Sequence, residues 1–287
     1  MDPDSPADPA RFVRRMRPLL GTFVEVGLWP TAADEFAMRA AFRAVEQVHC
    51  ALSFQDPESE LSRLNRSPGQ FVTLSPLALR VLRLARATTL ASGGLFNCTL
   101  GGLLVRRGVL PDHGGGELLE SGTAGDIELE ADRARLARPV RVTVDGIAKG
   151  YAVDCAVTAL RQAGVRSGWV NAGGDLRVFG ALVLPVSRRE NDGALRPLGG
   201  VQDAAIASSA VRARADRLFP GTIVDATGHR SAPGVWSVLA RRAWRADALT
   251  KVAALAPDAS RQALLRRLGG RLLVAPSGSK RSVVLHP

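Results

Sequence analysis

VTVDGIAKGYAVDCAV, residues 142–157, is the stretch on which the reading of this chain turns. Val142 and Val144 alternate with polar neighbours, as in a strand with one buried face, and the strand ends at Asp145. Gly146 permits a tight turn, and from there to about residue 163 the apolar residues return at helical spacing. A strand that feeds a helix in this way presents the helix's free N–H groups and positive dipole end, an arrangement suited to phosphate. Lys149 adds a point charge at that end, Gly150 allows close approach to the backbone, and Tyr151 either stacks on a ring or packs in the core. An ordinary strand-to-helix connection with an exposed lysine would read the same way, so the remainder of the chain has to decide.

Outward from this stretch, strands and helices mix without regular alternation. Upstream, the spacing predicts a strand over 21–29, helices over 32–52 and 75–92, polar loops over 55–65 and 111–124, and strands over 126–130 and 140–145. Residues 95–110 read as part strand and part loop. Downstream, strands are expected at 168–173, 176–183, 203–208, 222–225, 235–243, 271–276 and 282–286. Helices are expected at 246–256 and 261–269, and a polar loop over about 187–200. The irregular order argues for an α+β fold rather than a doubly wound sheet. The expected organisation is a flexible leader over residues 1–17 and one domain over 18–287.

Composition narrows the classes. The formal net charge is +11, but the basic residues are scattered and aromatic residues amount to 5%, so no basic stripe interleaved with aromatics points to nucleic acid. No apolar run approaches the roughly 18–20 residues that cross a bilayer. The N-terminal residues lack the apolar centre of a secretory signal, and the expected location is the cytoplasm. Cys50, Cys98 and Cys155 are odd in number and far apart, which fits small buried hydrophobes better than disulfides. His49, His113, His229 and His286 show no zinc spacing. No G-x-S-x-G elbow, G-x-G-x-x-G fingerprint or P-loop occurs.

The choice of cation carries more. Of the 38 basic residues, 35 are Arg and three are Lys: Lys149, Lys251 and Lys280. Where Arg serves almost everywhere, a retained Lys marks a place that needs a compact ammonium on a flexible stem. Lys280 lies in the tail and is read as chance. Lys149 sits in the deciding stretch, and Lys251 in WRADALTKVAALA (244–256). There Asp247, Thr250 and Lys251 share one helix face, and a carboxylate beside a hydroxyl can hold a hard cation such as Mg²⁺. A structural carboxylate near the helix N-terminus fits the same spacing. In GWVNAGGDLRVFG (168–180), Asn171, Gly173, Gly174 and Asp175 make a special turn or an ordinary hairpin. Asp225 ends a strand, and Thr99 lies beside Gly101 and Gly102.

Taken in order, these stretches resemble the ApbE family of FAD:protein FMN transferases. LLGTFVEV (19–26), SFQDPESELSRLN (53–65), GGLFNCTLGGLL (93–104), GIAKGYAVD (146–154), WVNAGGDLRVFG (169–180), AIASSA (205–210), IVDATGH (223–229) and RADALTKVAAL (245–255) each correspond to a family segment. The resemblance implies a two-lobed α+β fold with FAD in a cleft between the lobes. It implies Mg²⁺-dependent transfer of FMN from FAD to a Ser or Thr hydroxyl of an acceptor protein, with release of AMP. By position, Leu20, Phe54, Thr99, Asp145, Lys149, Tyr151, Asn171, Gly173, Gly174 and Asp175 would line the flavin nucleotide site. Ala148 through its carbonyl, Asp247, Thr250 and Lys251 would form the metal site, and Asp225, Lys149 and Thr222 would serve catalysis. Three positions depart from the pattern. Thr222 stands where many members carry His, Lys251 where Thr is usual, and Gln55 where Tyr is usual, with Phe54 beside it and His229 close to Thr222 in sequence. The departures leave two other readings, a flavin carrier without catalysis and an FAD pyrophosphatase.

Overall fold

Every strand of the main sheet runs antiparallel to its neighbours, and the helices that carry the candidate residues lie on one face of it. The structure, a computed structural model, describes residues 12–114, 116–212, 223–273 and 284–286. In chain order the elements are β1 (Val13–Leu19), β2 (Thr22–Leu28), α1 (Asp34–Leu52), α2 (Glu60–Arg66), β3 (Val72–Thr73), α3 (Pro76–Ala91), α4 (Gly101–Arg106), β4 (Ile127–Leu129), β5 (Arg133–Leu136) and α5 (Ala148–Gln162). They continue with β6 (Gly168–Ala172), β7 (Asp175–Phe179), β8 (Val183–Arg189), β9 (Leu195–Gln202), β10 (Ala205–Val211), β11 (Gly234–Ala240), α6 (Ala243–Leu255), α7 (Asp258–Arg267), β12 (Gly270–Leu273) and β13 (Val284–Leu285). The main sheet has the order β1-β2-β6-β7-β10-β11-β12. Small sheets, β13-β9-β8 and β3-β5-β4, flank it.

The period of two along β7 shows how the sheet is covered. Leu176 and Val178 pack with Leu198 and Val201 of β9 on one face, while Phe179 joins the core formed with α1, α5 and α6 on the other. All five residues of β7 are therefore buried, as expected of a strand with both faces covered. The α1 helix buries Met38, Ala41, Phe42, Val45 and Val48, a stripe at helical spacing. Almost all of α6 is buried from Ala246 to Ala254, because α5 and the sheet enclose it. Polar side chains on α6 therefore need partners inside the protein.

Two tight turns sit side by side at one end of this sheet. Leu20–Gly21 joins β1 to β2 and Gly173–Gly174 joins β6 to β7, each with positive φ at both turn residues. That is the backbone of two-residue hairpins whose twist matches the strands. The turns abut because β2 pairs with β6, and a side chain at Gly173 would meet Thr22 Oγ1 at 2.6 Å. Leu20, at φ +57°, is the costly member, since a side chain in this region costs about 1–2 kcal/mol.

The α+β expectation holds, and several local expectations are corrected. Residues 13–17, predicted as part of a flexible leader, instead belong to β1, because Val13–Leu19 pair along the whole of β2; residues 1–11 lie outside the described residues. The 55–65 loop contains α2, started by Ser59 Oγ, which accepts from Ser62 N. Residues 101–106, read as strand and loop, are α4. The 187–200 loop is instead the β8–β9 hairpin. Residues 140–144 join no ladder; the Asn65 side chain accepts from Val142 N at 2.7 Å and donates to Val142 O at 2.8 Å, standing in for a neighbouring strand. Of the cysteines only Cys98 is fully buried, with its thiol pushed up to about 11 by burial, while Cys50 is exposed.

Candidate functional site

The start of α5 lies between two cavities. One, of about 390 Å³, is walled by apolar residues such as Phe96, Leu100 and Ile223 and carries Asn97, Ser209 and Lys251. The other, of about 280 Å³, is walled by Leu20, Leu52, Phe54 and Gln55, with Ala148 at its edge. Asp145 and Lys149 line both. Two apolar arms thus meet at one charged junction.

The junction is a cluster of opposed charges drawn from four elements. Lys149 Nζ on α5 lies 3.2 Å from Asp175 Oδ2 at the start of β7. Lys251 Nζ on α6 lies 2.5 Å from Asp247 Oδ1 and donates to Asp247 O at 3.2 Å. Asp247 Oδ2 accepts from Gly150 N at 3.2 Å. Asp145, on the segment entering α5, has no ion pair among the described residues. The Lys149–Asp175 contact lacks hydrogen-bond alignment, and Asp175 Oδ2 is buried with no other partner among the described residues.

Burial and mutual charge set the protonation of these groups. Burial and the Asp247 charge push Asp175 up to about 6, against the pull of both lysines. Burial also acts to raise Asp247, but the ammonium groups of Lys149 and Lys251 and the two hydrogen bonds outweigh it, so its carboxyl is held below the usual range. Asp145 is exposed to solvent where the two cavities meet, and the protein packed around it raises its pKa. Asp175 and Asp247 hold the Lys149 ammonium well above the ordinary lysine range.

The helix N-terminus is less open than the sequence suggests. Ala148 N and Tyr151 N donate to the carbonyls of Val144 and Ile147, and Gly150 N to Asp247, which leaves Lys149 N–H without a protein acceptor among the described residues. Gly150 itself serves helix packing rather than ligand approach: a Cβ there would lie 2.3 Å from Ala243 O at the start of α6. This close crossing is what brings Asp247 within reach of α5.

Other predicted residues fall elsewhere. Thr99 is fully buried and off the cleft; its hydroxyl donates to Asn97 Oδ1 at 2.7 Å and accepts from Gly122 N, so it holds Asn97 in the cavity wall. Tyr151 faces a separate, larger groove of about 610 Å³ on the other side of α5, beside Arg80 and Trp244. Asn171 Oδ1 accepts from Gly174 N and braces the turn behind Asp175. Asp225 is spent on its own loop: Oδ1 accepts from Thr227 Oγ1, Thr227 N and His229 N, bonds that hold its carboxyl below the usual range. The His229 side chain is exposed on that turn, and Thr222 lies outside the described residues. Sequence reasoning missed Asn97 and Ser209 as cleft residues. It also missed Asp154, which pairs with Arg177 at 2.5 Å and accepts from Trp244 N, capping the start of α6. Ser209 had a signal in AIASSA, the segment beside Lys251 in the fold; Asp154 had none beyond its helix.

The expected metal donors do not fit a divalent cation. A Mg²⁺ ion binds oxygen at about 2.0–2.1 Å and demands octahedral donors. At Asp247 Oδ1 it would stand no more than about 4.6 Å from the ammonium already 2.5 Å from that oxygen. Repulsion between the two cations would be at least about 7 kcal/mol at an effective dielectric of about 20. Thr250 Oγ1 is fully buried, donates to Asp247 O and pairs with Ser209 Oγ, each at 2.7 Å. No group of three His, Cys, Asp or Glu suited to a metal occurs among the described residues.

Solved structures share this architecture. The apo flavinyl transferase ApbE of Pseudomonas stutzeri superposes with a TM-score of 0.75 at 20% identity, covering 89% of this chain and 88% of that one. The flavin transferase ApbE of Vibrio cholerae gives 0.75 at 21% identity, covering 88% and 89%. The ApbE protein of Thermotoga maritima gives 0.72 at 20% identity, covering 91% and 93%. At such identities the likeness speaks for the fold alone. No curated protein sequence matches the chain. The sequence does match the profile of the ApbE family over residues 20–274, a span that takes in every element from β2 to β12 and the whole charged junction, and the chain therefore belongs to the ApbE family.

Proposed function

We propose that this protein is an FAD:protein FMN transferase that moves FMN from FAD to a Ser or Thr hydroxyl of an acceptor protein and releases AMP. The observation that carries the reading is the shape of the cleft: two apolar arms that share a charged junction at Asp145 and Lys149. A dinucleotide has the matching shape, two ring systems joined by an anionic pyrophosphate. With one ring in each arm, the pyrophosphate lies over the junction, within reach of the Lys149 and Lys251 ammonium groups and the free Lys149 N–H.

The reaction asks little covalent help of the protein. The acceptor oxygen forms a bond to the FMN phosphorus, the bond from that phosphorus to the bridging oxygen breaks, and AMP departs with that oxygen and the negative charge. Catalysis then consists of holding the phosphates in line and neutralising the departing charge. Lys149 and Lys251 do the second. Asp145, whose raised pKa makes it a stronger base than an ordinary carboxylate, takes the hydroxyl proton. The Mg²⁺ dependence implied by the family resemblance meets a donor set that does not accommodate the ion, and no step is routed through it.

The test is AMP release from FAD, with and without an acceptor domain bearing a flavinylation Thr. The expected result is AMP only with acceptor, together with a fluorescent acceptor band on a denaturing gel. AMP without acceptor would replace transfer by hydrolysis. Tight FAD binding with no AMP at all would replace it by a carrier role.

A further inference from the structure

We infer that Lys251 takes the place of a divalent ion, supplying the positive charge that Asp247 holds against the pyrophosphate, so that this chain processes FAD without a divalent metal. The inference rests on the proposed transfer reaction for its catalytic part and on FAD binding alone for the remainder.

The position of the ammonium is that of a bound cation. Lys251 Nζ contacts both the carboxylate and the backbone carbonyl of Asp247, at 2.5 and 3.2 Å. An ammonium has three protons. Two are used here, and the third is free for a phosphate oxygen in the cavity that Lys251 lines with Asp145, Lys149 and Ser209. The stem is held as well: a Cβ at Gly146 would lie 3.2 Å from Lys251 Cε, so the glycine makes room for the side chain to cross the entrance of α5. Thr250, the neighbouring hydroxyl on α6, is turned away to Ser209 and Asp247 O. The same helix thus withdraws an oxygen donor from the cleft and puts an ammonium group into it. Among 35 arginines the residue chosen is Lys, whose compact head fits between Asp247 and a phosphate. In the transfer step Lys251 keeps its proton and stabilises the charge that accumulates on the departing AMP.

The experiment compares wild type, Lys251→Met, which keeps the stem and removes the charge, and Lys251→Thr, each with excess EDTA and with Mg²⁺. FAD affinity is read by flavin fluorescence and turnover by AMP release with acceptor, after circular dichroism has verified folding. In wild type, FAD affinity and turnover should agree within about twofold between EDTA and Mg²⁺. Lys251→Met should lose about 10²–10³-fold in turnover, the usual cost of removing one charge-stabilising donor, and Mg²⁺ should not restore it. Lys251→Thr should lose as much in EDTA and recover in part with Mg²⁺. A wild-type rate that collapses in EDTA and returns with Mg²⁺ would overturn the inference. Should wild type release no AMP in either condition, the transferase reading fails by itself and binding decides. Metal-independent FAD affinity that weakens in Lys251→Met then upholds the inference, and wild-type affinity raised tenfold or more by Mg²⁺ overturns it.

Discussion

Two sets of ion pairs lie along α5, and they differ in what is left over once they have formed. At the helix start, Lys149–Asp175 and Lys251–Asp247 border open cavities and keep unused capacity among the described residues: a third ammonium proton on Lys251, a buried Asp175 oxygen without a hydrogen bond, and the Asp145 carboxylate without an ion pair. One turn further on, Asp154–Arg177 is closed. Asp154 Oδ1 takes the guanidinium, Oδ2 takes Trp244 N–H, and both side chains are under 10% exposed. The closed pair uses Arg, whose planar fork gives fixed geometry, and the open pairs use Lys, whose point charge can turn toward a ligand. Placement of charge in this protein follows from that division: one pair fixes the crossing of α5 and α6, and the others act across it.

The division breaks most visibly at Asp154. Asp154→Ala leaves Arg177 buried without a counter-charge and the first turn of α6 without its cap, which should cost about 3–5 kcal/mol of stability. Chemical denaturation measures it. The double variant Asp154→Leu with Arg177→Met should recover most of that loss, because a buried pair exchanged whole for apolar groups is close to neutral. If the double variant were as unstable as the single one, the pair would be holding more than its own charges. Lys149→Met should behave in the opposite way. Asp175 loses its counter-ion but can take up a proton, its pKa already standing near 6, so stability should change by about 1 kcal/mol or less. FAD affinity should fall about 10–100-fold, the equivalent of about 1.4–2.7 kcal/mol. Unchanged affinity would remove Lys149 from the pyrophosphate.

How much of this could be read beforehand follows the same division. The turn at Gly146, the lysines in an arginine-rich chain and the Asn171–Asp175 turn are local features, and the residues they flagged at Asp145, Lys149, Asp175, Asp247 and Lys251 come together at one junction. Local features do not show which way a helix faces. Tyr151 follows Lys149 by two residues, about 200° around the helix, and so looks into the groove behind α5. The family resemblance gives Asp225 a catalytic role, yet three donors from its own loop occupy its Oδ1. Gly150 looked like an opening for a ligand and is an opening for Ala243, a contact 93 residues away in sequence that no window could contain. The β8–β9 hairpin and β1 were missed because their exposed faces are rich in Arg, so the alternation that marks a strand is masked by charge.

The finest test of the comparison is a slope. Asp175 has a folded pKa of about 6, above that of an unfolded aspartate. Its contribution to stability is therefore complete below the unfolded pKa and is lost as pH rises toward and through 6. Asp154, closed and paired, also has a raised pKa, but its pair with Arg177 and the Lys251–Asp247 pair are present in both wild type and Asp175→Asn. The difference between wild type and Asp175→Asn thus isolates the one group. Asn removes a proton site and leaves Lys149 charged throughout, since its pKa lies far above this range. Measured by denaturation at steps from pH 4 to 7, the stability of wild type relative to Asp175→Asn should fall with rising pH and level off above about 7. A flat difference would mean that the carboxylate is solvated as well as an unfolded one. A difference that rises with pH would mean that Lys149 holds the Asp175 carboxyl below its unfolded pKa, and the junction would then be a closed ion pair with no capacity left for a ligand.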